Sequence, residues 1–452
     1  MRVTIIGSGY VGLTTGVALA YIGHHVTLLD KNKEVIKKLK NGVSPIHEKG
    51  IEELLVDSLI RLQFIDDWDM LDADTDIIIV AVGTPSKKNG DADLSFVEDV
   101  AISIGERISK DNIPLIVTKS TVPVGTQKRL KMVIQSILHK RGISKSVKVA
   151  SNPEFLREGQ ALYDTFFPDR IVIGVEEEDS RFLLQKLYLP ILEQSFTPPP
   201  SLQRPERIPL PALIVTNPTS AEMIKYAANA YLAMKISFIN EFANLADKVG
   251  ADINEIAQGI GLDSRIGRAY LNAGIGWGGS CFGKDTKAIS FFARQYDAQL
   301  HLVESSIEVN YRQRMEIVKK LQNTLHVIRG MKIGILGLSF KPNTDDLRDA
   351  PSIDIIEKLL ELGAHVIVHD PIAIPNFKKQ YPYINIEYAG TIDEVFIEAD
   401  AVLLVTEWDE YKHLPYYKLA KIMKNKLLID GRNALDKNII EEAGIKYLGI
   451  GR

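Results

Sequence analysis

The chain opens on Arg2–Ile6, a β-branched apolar run that reads as a buried strand. Gly7-Ser8-Gly9-Tyr10-Val11-Gly12 follows at once, then a helical stretch to about Ile22 and a second strand, His25–Leu29, ending in Asp30. Apolar runs at Asp76–Val82, Pro114–Thr118, Val147–Ala150 and Arg170–Val175 predict further strands, with helical patterns between them. Ser195–Pro211 interrupts this rhythm with six prolines in 17 residues and reads as a loop or linker. Thr219–Val249 then holds neither Pro nor Gly, a pattern for one helix of roughly 45 Å. Helical patterns follow at Asp285–Tyr296 and His301–Leu325. Strand Lys332–Leu336, helix Ser352–Leu362 and strand His365–His369, ending in Asp370, then repeat the opening layout. Ala401–Thr406 and Lys426–Ile429 complete a second α/β set. The fold class expected is α/β, with two Rossmann-like doubly wound domains joined by a central helical region and a long connecting helix. The expected divisions are 1–200, 212–325 and 330–452.

Length and composition narrow the classes. A chain of 452 residues suggests two or three domains. Its 45% hydrophobic and 25% charged residues are those of a soluble globular protein. A net charge of −4 leaves no electrostatic footprint for nucleic acid. One cysteine excludes an internal disulfide framework and fits a reducing compartment. Val3–Gly23 carries no charge and follows Arg2, which superficially resembles a signal peptide, but four glycines break it into strand, turn and helix. No other stretch approaches the ~18 apolar residues of a membrane span. A cytoplasmic protein with no membrane partner and no metal is expected.

Two stretches carry candidate chemistry. The Gly7/Gly9/Gly12 pattern lies between strand and helix, the context a dinucleotide turn requires. Asp30 is placed for a ribose 2′-hydroxyl and favours NAD over NADP, although Lys31 and Lys33 soften that preference. Loops Gly83–Pro85, Lys119–Pro123 and Ser151–Glu154 follow strands and should gather near the nicotinamide end. The second stretch, Gly274–Asp285, contains five glycines and Cys281. A helix opening near Lys284 or Asp285 would put Cys281 before a helix N-terminus with Lys284 alongside, two influences that favour thiolate. A lone cysteine is also a common small buried hydrophobe. Lys225 and Asn229 lie four apart on one helix face, and read alone they fit a solvated lysine and a surface amide better than a site, since most lysines are exposed. The loop Ser339–Asp349 lacks the full glycine pattern, and its Lys341 and Arg348 could hold phosphate by charge.

Taken in order, GSGYVG, VGTP, KSTVPVGT, SNPEFLREG, the Lys225/Asn229 helix, GGSCFGKD, SFKPNTDD and DGRN give the chain a resemblance to the UDP-glucose/GDP-mannose dehydrogenase family from end to end. The resemblance implies an NAD-dependent, four-electron oxidation of a nucleotide-sugar alcohol to a carboxylate. Phe282 and the intact Asn152–Leu156 lean toward UDP-glucose, giving UDP-glucuronate. The same chemistry on GDP-mannose or a UDP-N-acetyl-hexosamine is the alternative, and a silent NAD-binding protein a third. By the match, Cys281 is the nucleophile and carries a thioester. Lys225 and Asn229 stabilise oxyanions, Asp285 with Lys225 holds a water, and Thr121 and Glu154 position the hydrolytic water. Cofactor binding is expected from Gly7, Gly9, Tyr10, Val11, Gly12, Asp30, Thr84, Thr121, Glu158, Lys284 and Arg348. Substrate binding is expected from Glu154, Phe155, Leu156, Arg157, Lys225, Asn229, Gly278, Phe340, Lys341 and Arg432. Arg265 would be contributed to a neighbouring subunit, in a homodimer or larger homo-oligomer. Two positions depart from the commonest motif, Gly283 where proline is usual and Trp277 where Tyr or Phe is.

Overall fold

The computed structural model describes residues 1–87, 89–205 and 209–452. They form two compact units, 1–227 with 294–296, and 228–293 with 297–452. The first unit is built on strands β1 (Arg2–Ile6), β2 (His25–Leu29), β3 (Leu62–Ile65), β4 (Ile77–Val80), β5 (Leu115–Thr118), β6 (Val149–Ser151), β7 (Arg170–Gly174) and β8 (Ala212–Thr216). Their order is β3-β2-β1-β4-β5-β6-β7-β8. The first six are parallel neighbours in the doubly wound order, while β7 meets β6 antiparallel through Ser151 and Gly174 and leads β8 parallel to itself. Because helices cover both faces, the central strands are apolar at nearly every position. Alternation then divides them: Ile5, Ile77 and Ile79 pack on one face, and Ile6, Ile78 and Val80 on the other.

The second unit repeats the plan in β9 (Lys332–Leu336), β10 (His365–His369), β11 (Glu387–Tyr388), β12 (Ala401–Leu404), β13 (Leu427–Asp430) and β14 (Lys446–Leu448). All neighbours are parallel, in the order β11-β10-β9-β12-β13-β14. Ile333, Ile335 and Leu403 face one core, Leu336, Val402 and Leu404 the other.

The helices that matter here are α1 (Tyr10–Tyr21), α2 (Thr126–Lys140), α3 (Pro218–Val249), α4 (Phe282–Arg294), α5 (His301–Gln313), α6 (Glu316–Leu325) and α7 (Pro351–Glu361). Three local expectations change. The stretch 301–325 is two helices, separated at Arg314-Met315. Helix α4 starts at Phe282, two or three residues earlier than its apolar run suggests. The proline-rich segment is followed by β8, an exposed edge strand, so the first sheet extends beyond it. Part of that segment packs on the first core: the Phe196 ring centroid is 5.2 Å from that of Phe166, and Arg204 donates to the Gln194 and Phe196 carbonyls. Glu206, Arg207 and Ile208, in the same segment, lie outside the described residues.

Candidate active site

In the first unit the three glycines of the opening turn have three different surroundings. Gly7 has φ +98°, and a Cβ there would lie 2.7 Å from the Ala81 carbonyl oxygen. Gly12 is closer still, its Cβ position 1.8 Å from the Gly7 carbonyl oxygen. Gly9, at the N-terminus of α1, has nothing within 4 Å, which leaves room for a ligand phosphate against the helix. Asp30 braces the turn: its Oδ2 accepts from the Ser8 amide at 2.7 Å and its Oδ1 from Asn32 at 2.9 Å. The carboxylate is half-buried, and each oxygen has a second lone pair for a ribose hydroxyl. These residues fit the nucleotide half of NAD. Val11 is half-buried behind the turn, and Tyr10 sends its hydroxyl to the His47 carbonyl.

The three loops beyond β4, β5 and β6 gather as expected. The Thr84 hydroxyl donates to the Thr121 carbonyl at 2.7 Å, and the Ser120 hydroxyl to that of Val82 at 2.7 Å. The Asn152 amide donates to the Thr118 carbonyl at 2.8 Å. Beneath them lies a charged cluster. Lys225 is 3% exposed, and its Nζ is 3.0 Å from Glu154 Oε1. The solvated reading of this lysine is therefore wrong: the apolar stripe of α3 carries it inward. Glu154 Oε2 accepts from the Leu156 amide at 2.6 Å. Burial pushes Glu154 up, but Lys225, that amide and Lys119 hold it below its ordinary value. The carboxylate stays ionised. The Phe155 ring sits under the Lys225 ammonium at 5.5 Å and the Arg170 guanidinium at 3.9 Å. Arg157 forks onto Asp164, and Glu158 is half-buried nearby in sequence.

Two groups in this cluster escaped sequence reasoning. Lys119 is buried and donates to Asn152 Oδ1 at 3.1 Å. Burial is the main cause of its fall to about 8, with Glu154 opposing and Lys225 adding to it. The signal was a lysine set directly after the four buried residues of β5, Leu115–Thr118. Glu222, three residues before Lys225, accepts from the amides of Gly125 at 2.7 Å and Gln127 at 2.9 Å, at the start of α2. Burial raises it to about 7 against those bonds. Glu222 and Lys225 line a small cavity with Ser120, Thr121, Ser151 and Pro153.

In the second unit, Cys281 immediately precedes α4, and the Asp285 amide donates to its carbonyl at 2.8 Å. The thiol is half-exposed, at a helix end where backbone N–H groups favour an anion. One turn on, Asp285 is buried and accepts from Asn229 Nδ2 at 2.6 Å. Asn229 is 7% exposed, so it too is no surface amide. Lys284 pairs with Asp285 Oδ1 at 2.6 Å, so its charge serves that carboxylate. The Phe340 ring lies against Gly279, whose Cβ position is 2.7 Å from the ring, and Lys341 stands over the same ring at 5.3 Å. Arg432 is held by the carbonyls of Val405 and Gly276, each at 2.8 Å. Arg348 forks onto Asp346, and Gly278 lies on the Asp349 carbonyl. Arg265 stands apart, its side chain 87% exposed and forked onto Asp263.

Family models match along the chain in the same sequence: residues 1–192 fit the NAD binding domain, 219–312 the central domain and 334–437 the UDP binding domain of one family. The chain belongs to the UDP-glucose/GDP-mannose dehydrogenase family. It is 44% identical to UDP-glucose 6-dehydrogenase YwqF of Bacillus subtilis, over 100% of this chain and 98% of that one. It is 42% identical to a UDP-glucose 6-dehydrogenase of Rhizobium meliloti, over the full length of both. Among solved structures, a UDP-glucose dehydrogenase from the archaeon Pyrobaculum islandicum matches with a TM-score of 0.88 at 36% identity, covering 100% of this chain and 97% of that one. Within the family's NAD binding segment fall the glycine turn, Asp30 and the Lys119–Glu154 cluster. Its central segment holds Lys225, Asn229 and Cys281. Among the described residues no helix is long and apolar enough to cross a membrane.

Proposed function

We propose that this chain oxidises the C6 alcohol of UDP-glucose to the carboxylate of UDP-glucuronate, with two NAD consumed per sugar. The observation that carries the reading is Cys281 at the opening of α4 with the Asp285–Asn229 hydrogen bond one turn behind it. NAD, when bound, supplies the hydride acceptor for each of the two oxidations. In the first, the C6 hydroxyl gives its proton to a water held by Asp285 and Lys225, and the Lys225 ammonium stabilises the developing alkoxide. The Cys281 thiolate then adds to the aldehyde carbon. The resulting hemithioacetal oxygen, held by Asn229 and Lys225, collapses to a thioester as the second hydride leaves. Water positioned by Glu154 and Thr121 cleaves the thioester, releasing the carboxylate and returning the thiol. The Phe155–Arg157 backbone, Phe340, Lys341 and Arg432 take sugar and UDP, with Gly278 giving the close backbone approach. Thr84, Glu158, Lys284 and Arg348 complete NAD binding.

A homodimer supports this site. Tyr231, Phe238, Phe242, Leu245 and Val249 are exposed along α3, an apolar stripe suited to a second copy, and Arg265 reaches outward for the partner's substrate. The expected location is the cytoplasm.

The test is NADH yield. Purified protein with excess NAD should give two NADH per UDP-glucose, and Cys281→Ser should lose acid formation. GDP-mannose and UDP-N-acetyl-hexosamines belong in the same panel; faster turnover with either would transfer the assignment to it.

A further inference from the structure

Gly283, in the first turn of α4, sits close against Asp349. A Cβ at Gly283 would lie 2.7 Å from Asp349 Oδ2. The other oxygen of that carboxylate, Oδ1, is 2.8 Å from Arg314 Nη2. Arg314 is buried between α5 and α6; Nη1 also pairs with Asp354 at 2.6 Å, and Nη2 donates to the Trp277 carbonyl at 3.1 Å. Asn310, one turn earlier, closes on Trp277 from both sides, its Oδ1 accepting from the Trp277 amide at 2.7 Å and its Nδ2 donating to the carbonyl at 3.0 Å. The backbone of the same segment runs along the Arg348-Asp349 peptide: the Gly279 amide donates to the Arg348 carbonyl at 2.9 Å, and Gly278 has no room for a Cβ, which would sit 2.3 Å from the Asp349 carbonyl oxygen.

We propose that Arg314 and Asp349 are positioning residues that clamp the Gly274–Cys281 loop to the Ser339–Asp349 loop, so that nucleotide bound at the second loop sets the reactivity of the Cys281 thiol. This rests on Ser339–Asp349 being the UDP side of the site and Cys281 the nucleophile. Gly283 belongs to the device. A side chain there makes the Asp349 carboxylate shift at Oδ2, which disturbs the Oδ1 pairing with the buried Arg314. The UDP-contacting loop and the thiol loop then move as one body, and a ligand on one changes the other by its differential affinity.

The experiment is the rate of Cys281 alkylation by iodoacetamide at fixed pH, with and without saturating UDP, in the full chain as purified. Asp349→Asn is the chief variant. Asp349 has φ +52°, a conformation asparagine tolerates, so the change removes charge with little backbone strain. UDP should alter the wild-type alkylation rate at least threefold, and Asp349→Asn should reduce that response to under 1.5-fold while still binding UDP by calorimetry. Gly283→Ala should do the same, and the double variant should be no worse than either alone. A full UDP response in Asp349→Asn with UDP bound overturns the clamp, as does additive loss in the double variant. A wild-type thiol indifferent to bound UDP overturns it as well. Failure of the underlying reading looks different: Cys281→Ser would still make acid, or UDP would not bind the wild type.

Discussion

The charges around Lys225 are buried and mutually paired, so each can be tested residue by residue. Lys225 and Lys119 act on one buried carboxylate, Glu154. Lys225→Met leaves Glu154 with Lys119 nearby, and under the proposed mechanism both oxidations lose an oxyanion partner. The expected fall in the rate of each hydride transfer is about 10²–10³-fold, read by single-turnover NADH absorbance. A variant slow only at thioester hydrolysis would show that Lys225 serves the water and not the sugar. Glu222 makes a different prediction. Its carboxyl titrates near 7 in the fold and near 4.5 when unfolded, so between those values the folded chain holds more protons. Stability therefore falls as pH rises through that window. Glu222→Gln should flatten the slope, with a difference on the order of 2 kcal/mol between pH 5 and pH 7.5 in urea melts. An unchanged slope would mean that the carboxyl is ionised throughout.

At the scale of elements, the turn between β1 and α1 separates folding from binding at two glycines. Gly12 is locked under the Gly7 carbonyl, while Gly9 faces empty space. Gly12→Ala should lower the melting temperature and abolish NAD binding together. Gly9→Ala should leave melting within about 2 °C yet weaken NAD at least tenfold, about 1.4 kcal/mol, because the new methyl occupies ligand space. Equal effects of the two in calorimetry and melting would contradict the division. This turn was readable from sequence because strand, glycines, helix and Asp30 are contiguous. The Lys225–Glu154 pair was not, since 71 residues separate its members and no periodicity couples them. β3 and β8 escaped for physical reasons too. Leu62–Ile65 is short and interrupted by Gln63, and Ala212–Thr216 is an edge strand with little buried, directly after a proline run. The start of α4 was misjudged because Phe282-Gly283-Lys284 lacks an apolar face, while the backbone bond to Cys281 already forms there.

At the scale of the molecule, subunits lacking different groups should complement: Arg265→Ala mixed with Cys281→Ala restores some activity if sites are shared across a dimer. Inactive mixtures with proven hybrids would make each site self-contained. The final prediction concerns the two sheets, which share one strand order over six parallel strands and yet should bind NAD once per chain. The second keeps only the first glycine of the pattern: Gly337 at φ +97°, with Ser339 and Pro342 standing two and five residues later, where the first turn has Gly9 and Gly12. A Cβ at Gly337 would lie 2.3 Å from Thr406, so the turn is equally tight but offers no glycine for a pyrophosphate. Asp370 ends β10 as Asp30 ends β2, but it is buried. Its Oδ2 accepts from the Leu338 amide at 2.7 Å, the Ser339 amide at 3.2 Å and the Trp408 indole at 3.2 Å. Its Oδ1 accepts from Ile372 at 3.0 Å and Ala373 at 2.7 Å. A carboxylate so engaged has no lone pair left for a ribose. Calorimetry should therefore give one NAD per chain and, separately, one UDP that does not displace it. Two NAD sites per chain, or competition between NAD and UDP for one site, would show that the second sheet kept a dinucleotide function its closed Asp370 argues against.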